Sequence, residues 1–180
     1  MKTSPQKATH KNPCPFVFLI GFMGAGKSAV ASGLQRRLSI DRIEMDREIE
    51  LGEGMTIPEI FSKKGQEYFR DLETGLLKSL ETRNGCVVSC GGGAILRPEN
   101  VRIMKSLGRI LWLTASPVTI WERVRFSENR PLLKGRMDPE SIRQMMEERR
   151  PAYERAADLI IDTDQKSVDQ VVEEIIRMIE

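Results

Sequence analysis

The sequence predicts a three-layer α/β/α fold around a central five-stranded parallel sheet. Two observations predict it. Five short apolar runs alternate with longer amphipathic stretches, and the first run feeds a glycine-rich loop that opens a helix. The runs are residues 16–20, 43–46, 86–90, 109–113 and 159–162. A parallel sheet covered by helices on both faces has this rhythm, because its strands are buried on both sides and its crossovers are helical.

Several helix starts carry chemical signals. Thr56-Ile57-Pro58-Glu59 reads as a capping box with an early proline, Asp138-Pro139 as a cap before a first-turn proline, and Ser167-Val168-Asp169-Gln170 as another capping box. After the last of these, Val171, Val172, Ile175, Ile176 and Ile179 recur at helical spacing and predict core packing. Residues 47–80 form a long, mostly helical excursion between the second and third strands. Residues 124–138 are rich in charge, glycine and proline.

Composition sets bounds on function. A chain of 180 residues is one domain's length, and with 40% hydrophobic and 30% charged residues it can build a core. The 28 basic and 26 acidic side chains nearly cancel, leaving a formal charge of +2. That balance argues against non-specific nucleic-acid binding, which needs a concentrated basic stripe. The apolar runs are far too short for a bilayer span, and residues 1–15 have no apolar stretch of the secretory kind. They are expected to be a flexible extension. Cys14, Cys86 and Cys90 are too few for a disulfide framework or a zinc site, the only histidine being His10. A cytoplasmic location, no membrane or nucleic-acid partner and a monomeric state are the expectations.

The most specific signal is Gly21-Phe22-Met23-Gly24-Ala25-Gly26-Lys27-Ser28, which fits G-x-x-x-x-G-K-[ST] directly behind a strand and ahead of a helix. Glycines let successive backbone N–H groups turn inward around a phosphate, and the helix N-terminus points its positive dipole end at the same anion. Lys27 suits the outer phosphates, and the Ser28 hydroxyl suits a nucleotide's magnesium. The chain is therefore expected to bind a nucleoside triphosphate.

Signals for the acceptor are weaker one by one. Glu44 and Asp46 sit two apart on the expected second strand, on one face, where one could hold magnesium through water and the other an acceptor hydroxyl. Taken alone the pair reads more simply as a solvated acidic edge. Gly91-Gly92-Gly93 follows the third strand, and either a close pass of backbone by a ligand or a flexible turn accounts for it. Arg70, Arg130 and Arg149 carry guanidinium forks suited to carboxylate and phosphate.

In order along the chain these segments resemble the shikimate kinase family. They are the phosphate loop, Met45-Asp46-Arg47-Glu48, residues 65–73 with Phe69-Arg70, Gly91-Gly92-Gly93-Ala94, Arg130-Pro131-Leu132-Leu133 and Arg149-Arg150-Pro151-Ala152-Tyr153. The resemblance implies a P-loop kinase fold and ATP-dependent phosphorylation of the 3-hydroxyl of shikimate, with magnesium, in aromatic amino-acid biosynthesis. It implies one kinase domain over 16–180, with a substrate-binding insertion at about 47–80 and a mobile lid at about 124–138. Lys27, Asp46 and Arg130 fall at the family's catalytic positions. Asp46, Arg70, Gly91, Gly92, Gly93 and Arg149 fall at its shikimate site. Gly24, Ala25, Gly26, Lys27, Ser28, Ala29, Arg123, Arg130 and Lys166 fall along its ATP site, and Ser28 at its metal. Glu44 departs from the aspartate the family usually carries there. Two rival readings are a kinase for another small polyol such as gluconate, and a nucleotide-binding regulatory domain without transfer chemistry.

Overall fold

The computed structural model describes residues 15–125 and 138–179. Five strands, β1 (Phe16–Ile20), β2 (Arg42–Glu44), β3 (Val87–Ser89), β4 (Gly108–Thr114) and β5 (Leu159–Asp162), form one parallel sheet in the order β2-β3-β1-β4-β5. Helices α1 (Lys27–Leu38), α2 (Met45–Glu53), α3 (Ile57–Ser79), α4 (Pro98–Leu107), α5 (Pro117–Val124), α6 (Pro139–Ala156) and α7 (Val168–Ile179) connect and cover it. The three-layer α/β/α fold expected from the alternating runs is the fold observed.

The sheet is buried on both faces because its strands alternate apolar side chains up and down. In β1, Val17 and Leu19 enter one core with Leu111 and Leu113 of β4, under α1 and α7. Phe16, Phe18 and Ile20 enter the opposite core with Ile110 and Trp112, under α3, α4 and the end of α6. The stripe on α7 packs as expected, with Val171, Val172 and Ile175 buried. The caps hold too. Thr56 donates its backbone N–H to Glu59 at 2.9 Å, Asp138 accepts from the amides of Glu140 and Ser141, and Ser167 and Gln170 bond reciprocally.

Three of the five strands shift their ends by a residue or two, and one of these shifts matters for the site. The second strand stops at Glu44, and Asp46 lies in the first turn of α2, not on a strand face. Asp46 and Glu48 both sit in that first turn, where the helix's positive end favours acidic side chains. The long excursion after it is α2 followed by α3, which breaks at Gly65 with φ 84° and ψ 170°, a conformation open essentially to glycine. Ile49, Ile60 and Phe69 give this excursion a small core of its own. The expected lid falls outside the described residues except at Val124, Arg125 and Asp138, as does the N-terminal extension except at Pro15.

Gly33 of α1 faces α7 closely enough that a Cβ there would stand 2.6 Å from Cγ2 of Val172. Alanine improves helix propensity by up to about 1 kcal/mol, whereas crowding a stiff β-branched side chain costs roughly 1–3 kcal/mol. Gly33→Ala should therefore lower the thermal midpoint by a few degrees, measured by circular dichroism, although the substitution favours helix.

Candidate active site

The phosphate loop leaves β1 in the middle of the sheet, at the carboxyl end of the strands where open α/β folds bind ligands. Gly21, Gly24 and Gly26 take φ of 149°, 81° and 96°, values side chains rarely adopt. A Cβ at Gly24 would also stand 2.7 Å from Cγ1 of Val124. Gly26 is the N-cap of α1, and no side chain caps that helix. By contrast Ser116 and Asp138 cap α5 and α6 with their side chains. The first N–H groups of α1 are thus left to an anion. Ala29 lies exposed in the same first turn. Lys27 Nζ folds over the loop, donating to the carbonyls of Gly21 at 2.8 Å and Phe22 at 3.1 Å.

Ser28 donates its hydroxyl to Glu44 Oε2 at 2.9 Å and stands 3.5 Å from the Ser89 hydroxyl. Arg42 holds the other Glu44 oxygen at 3.1 Å. The extra methylene of Glu44 therefore does not take its carboxylate away from Ser28. These donors are all hard oxygens, the kind magnesium takes. Among the described residues no group of three or more His, Cys, Asp or Glu is placed to hold a metal.

The glycine triplet is where the acceptor-side residues meet. A Cβ at Gly91 would stand 2.8 Å from Asp46 Oδ1 and 2.7 Å from Glu73 Oε1, and one at Gly93 would overlap both Nη atoms of Arg70. Gly91 and Gly93 are buried beneath these groups, whereas Gly92 is half-buried and lies 3.8 Å, at its Cβ position, from the Gly21 carbonyl oxygen. The triplet thus touches the phosphate loop on one side and the expected acceptor residues on the other. What approaches the triplet is the protein's own charged side chains, Asp46, Glu73 and Arg70.

Arg70 is 9% exposed and donates to Glu73 Oε2 at 2.6 Å, inside a pair whose glutamate is wholly buried. Burial raises the Glu73 pKa against the pull of Arg70, and Glu73 Oε1 has no protein partner. Asp46 opens to solvent by surface area, yet enough protein surrounds its carboxyl that desolvation raises its pKa, with Lys27 pulling it down and Glu50 and Glu44 pushing it up. Arg149, half-buried on α6, lies with its guanidinium carbon 5.7 Å from the centre of the Phe22 ring, so it too borders the phosphate loop.

On the far side of the loop, Arg123 donates to the Gly24 carbonyl at 3.2 Å and to Thr163 Oγ1 and O at 3.1 Å. It ties the phosphate loop to the segment after β5, where Lys166 pairs with Glu174 at 2.7 Å. Of the expected site residues, only Arg130 lies outside the described residues. Sequence reading passed over Glu73 and Tyr153 as site residues. The three-residue spacing from Arg70 to Glu73 and the four-residue spacing from Arg149 to Tyr153 each place two side chains on one helix face, which was the available signal.

A phosphate loop on a five-stranded parallel sheet, facing a cluster of carboxylates and arginines, defines a small-molecule P-loop kinase. Comparison with known proteins narrows the class. The family model for shikimate kinase matches residues 23–180. A curated shikimate kinase of Cupriavidus pinatubonensis is 40% identical over 166 residues, covering 92% of this chain and 86% of that one. A solved structure of shikimate kinase from Acinetobacter baumannii in complex with shikimate superposes with a TM-score of 0.86 at 34% identity, covering 92% of each chain. Shikimate kinase from Aquifex aeolicus superposes with a TM-score of 0.77 at 40% identity, over 91% of this chain and 95% of that one. The chain belongs to the shikimate kinase family.

Because Arg70 occupies the space beside Gly93, Gly93→Ala should push the guanidinium off Glu73 and leave a buried carboxylate without its partner. Breaking such a pair costs roughly 3–5 kcal/mol. Denaturant unfolding should show Gly93→Ala destabilised by about 2 kcal/mol or more. In a Glu73→Gln background part of that loss should disappear, because the buried charge is already gone.

Proposed function

We propose that this protein transfers the terminal phosphoryl group of ATP to the 3-hydroxyl of shikimate, releasing shikimate 3-phosphate and ADP for aromatic amino-acid biosynthesis. The observation that carries the reading is the convergence on Gly91–Gly93 of Asp46 and Arg70, with Gly92 set against the first residue of the phosphate loop. A donor cradle and an acceptor clamp thereby share one cleft, as in-line transfer needs.

In this reading the amides from Gly24 to Ala29 and the Lys27 ammonium hold the nucleotide's phosphates. Ser28, with Glu44 hydrogen-bonded to it, supplies oxygen donors for magnesium, which when bound offsets negative charge on the phosphate oxygens. Asp46 orients the acceptor hydroxyl and takes its proton. Its carboxylate is suited to this by a raised pKa, which makes it a better base than an ordinary aspartate. Arg70 and Arg149 hold the shikimate carboxylate, and the half-buried Gly92 with its neighbours meets the ring. Arg123 and Lys166 flank the adenine, and Arg130 closes from a lid at 124–138 onto the transferring phosphate. The helices at 47–80 serve as the substrate-binding insertion of one domain spanning 16–180. All these residues come from one chain, so a monomer suffices, and the cytoplasm is the proposed location. No described helix is long and apolar enough to cross a membrane.

A coupled ADP-release assay tests this reading against its rivals. Turnover should be stimulated by shikimate and not by gluconate. Stimulation by gluconate, or nucleotide binding without acceptor-dependent turnover, would replace the reading with a polyol kinase or a regulatory domain.

Arg70→Ala should raise the KM for shikimate by about 10- to 100-fold, the size of a lost charge-assisted hydrogen bond. The KM for ATP should stay within about twofold, since the clamp is remote from the nucleotide. An unchanged KM for shikimate would remove Arg70 from the clamp.

The pH profile of kcat/KM for shikimate reports the free enzyme's groups. Asp46 works as the carboxylate, and its pKa lies above the ordinary 3.8. Activity should therefore fall as pH drops through a point above 3.8. Asp46→Asn should abolish most activity and remove that acid limb from what remains.

A further inference from the structure

Tyr153 is buried to 2% exposure on α6, and its ring stacks on Trp112 of β4 with centroids 5.3 Å apart and planes 8° from parallel. Packing alone asks only for a ring, and phenylalanine would fill the same volume. The hydroxyl needs a separate reason, because a buried O–H without a partner costs about 1–3 kcal/mol. Its partner is the Gly92 carbonyl, to which it donates at 2.8 Å. Gly92 is the one member of the triplet that is not fully buried.

The peptide bond is planar and trans, so fixing the Gly92 carbonyl also fixes the direction of the Gly93 amide on the opposite side of that plane. Three glycines in a row have the freedom to rotate these peptide planes, and a rigid external partner removes it. Arg149 lies one helical turn before Tyr153 on the same face of α6. Burial pushes the Tyr153 phenol up to about 12, so the hydroxyl remains protonated and able to donate at neutral pH.

We propose that Tyr153 is a positioning residue for the acceptor: its hydroxyl locks the Gly92 carbonyl and with it the peptide plane between Gly92 and Gly93. It acts through the peptide it holds. The role rests on the shikimate reading of the site.

The test compares wild type with Tyr153→Phe in the ADP-release assay, with thermal unfolding of each. Loss of one hydrogen bond that organises the acceptor site should raise the KM for shikimate about three- to tenfold in Tyr153→Phe. The kcat at saturating shikimate and the KM for ATP should stay within about twofold. Should Tyr153→Phe not fold, Trp112→Leu, which loosens the stacked ring and keeps the hydroxyl, should show the same selective rise. Wild type without shikimate-dependent turnover would overturn the shikimate reading itself. Active wild type with an unchanged shikimate KM in the variant, or with shikimate and ATP constants moving together, would overturn the positioning role.

Discussion

Three side chains with formal charge, Asp46, Arg70 and Glu73, lie where Cβ atoms at Gly91 and Gly93 would otherwise stand. The candidate acceptor site depends on this absence of side chains. Backbone without Cβ lets a guanidinium lie against the chain beside β3, and it lets two carboxylates approach one glycine from different helices. The cost is like-charge crowding and desolvation, seen in the raised pKa of both Asp46 and Glu73. Arg70 and Lys27 offset it from opposite sides of the cleft. The site is held by a balance of charges at short range in a partly dry pocket, where each group's protonation depends on the others.

The sheet order places these groups near the phosphates. β1 is central, β3 is its neighbour on one side and β4 on the other. The loop after β1 and the triplet after β3 therefore emerge side by side, and Gly92 packs toward Gly21. β4 contributes Trp112 beneath Tyr153, so all three middle strands support the same patch. Arg123 closes the other flank by bonding both Gly24 and Thr163 beyond β5. The phosphate loop and the glycine triplet are neighbours here because their strands are neighbours.

Much of this was legible in the residues, for reasons that differ between parts. The strands were readable because a doubly covered sheet demands unbroken apolar runs, and β5 falls where its run does. The phosphate loop was readable because left-handed backbone admits few residues other than glycine. Asp46 was placed on a strand and lies on a helix, because a three-residue strand carries too little alternation to mark its own end. Glu73 and Tyr153 were unreadable as site residues for another reason. A buried glutamate and a buried tyrosine look in sequence like an exposed acid and a core ring. Only the fold shows that one pairs with Arg70 and the other with Gly92.

Glu44 shows how a side chain one methylene longer than aspartate is held beside the phosphate loop. A longer side chain at the end of a strand has two outcomes: it overshoots its partner, or it folds and is held. Arg42 lies two residues earlier on the same short strand, on the same face, and binds one carboxylate oxygen at 3.1 Å. The other oxygen is thereby left facing Ser28 at 2.9 Å. The charge is kept, the hydroxyl of the phosphate loop keeps its acceptor, and the added methylene is taken up along the edge strand. A local arginine thus leaves one Glu44 oxygen on Ser28, and the oxygen groups beside the phosphate loop stay together.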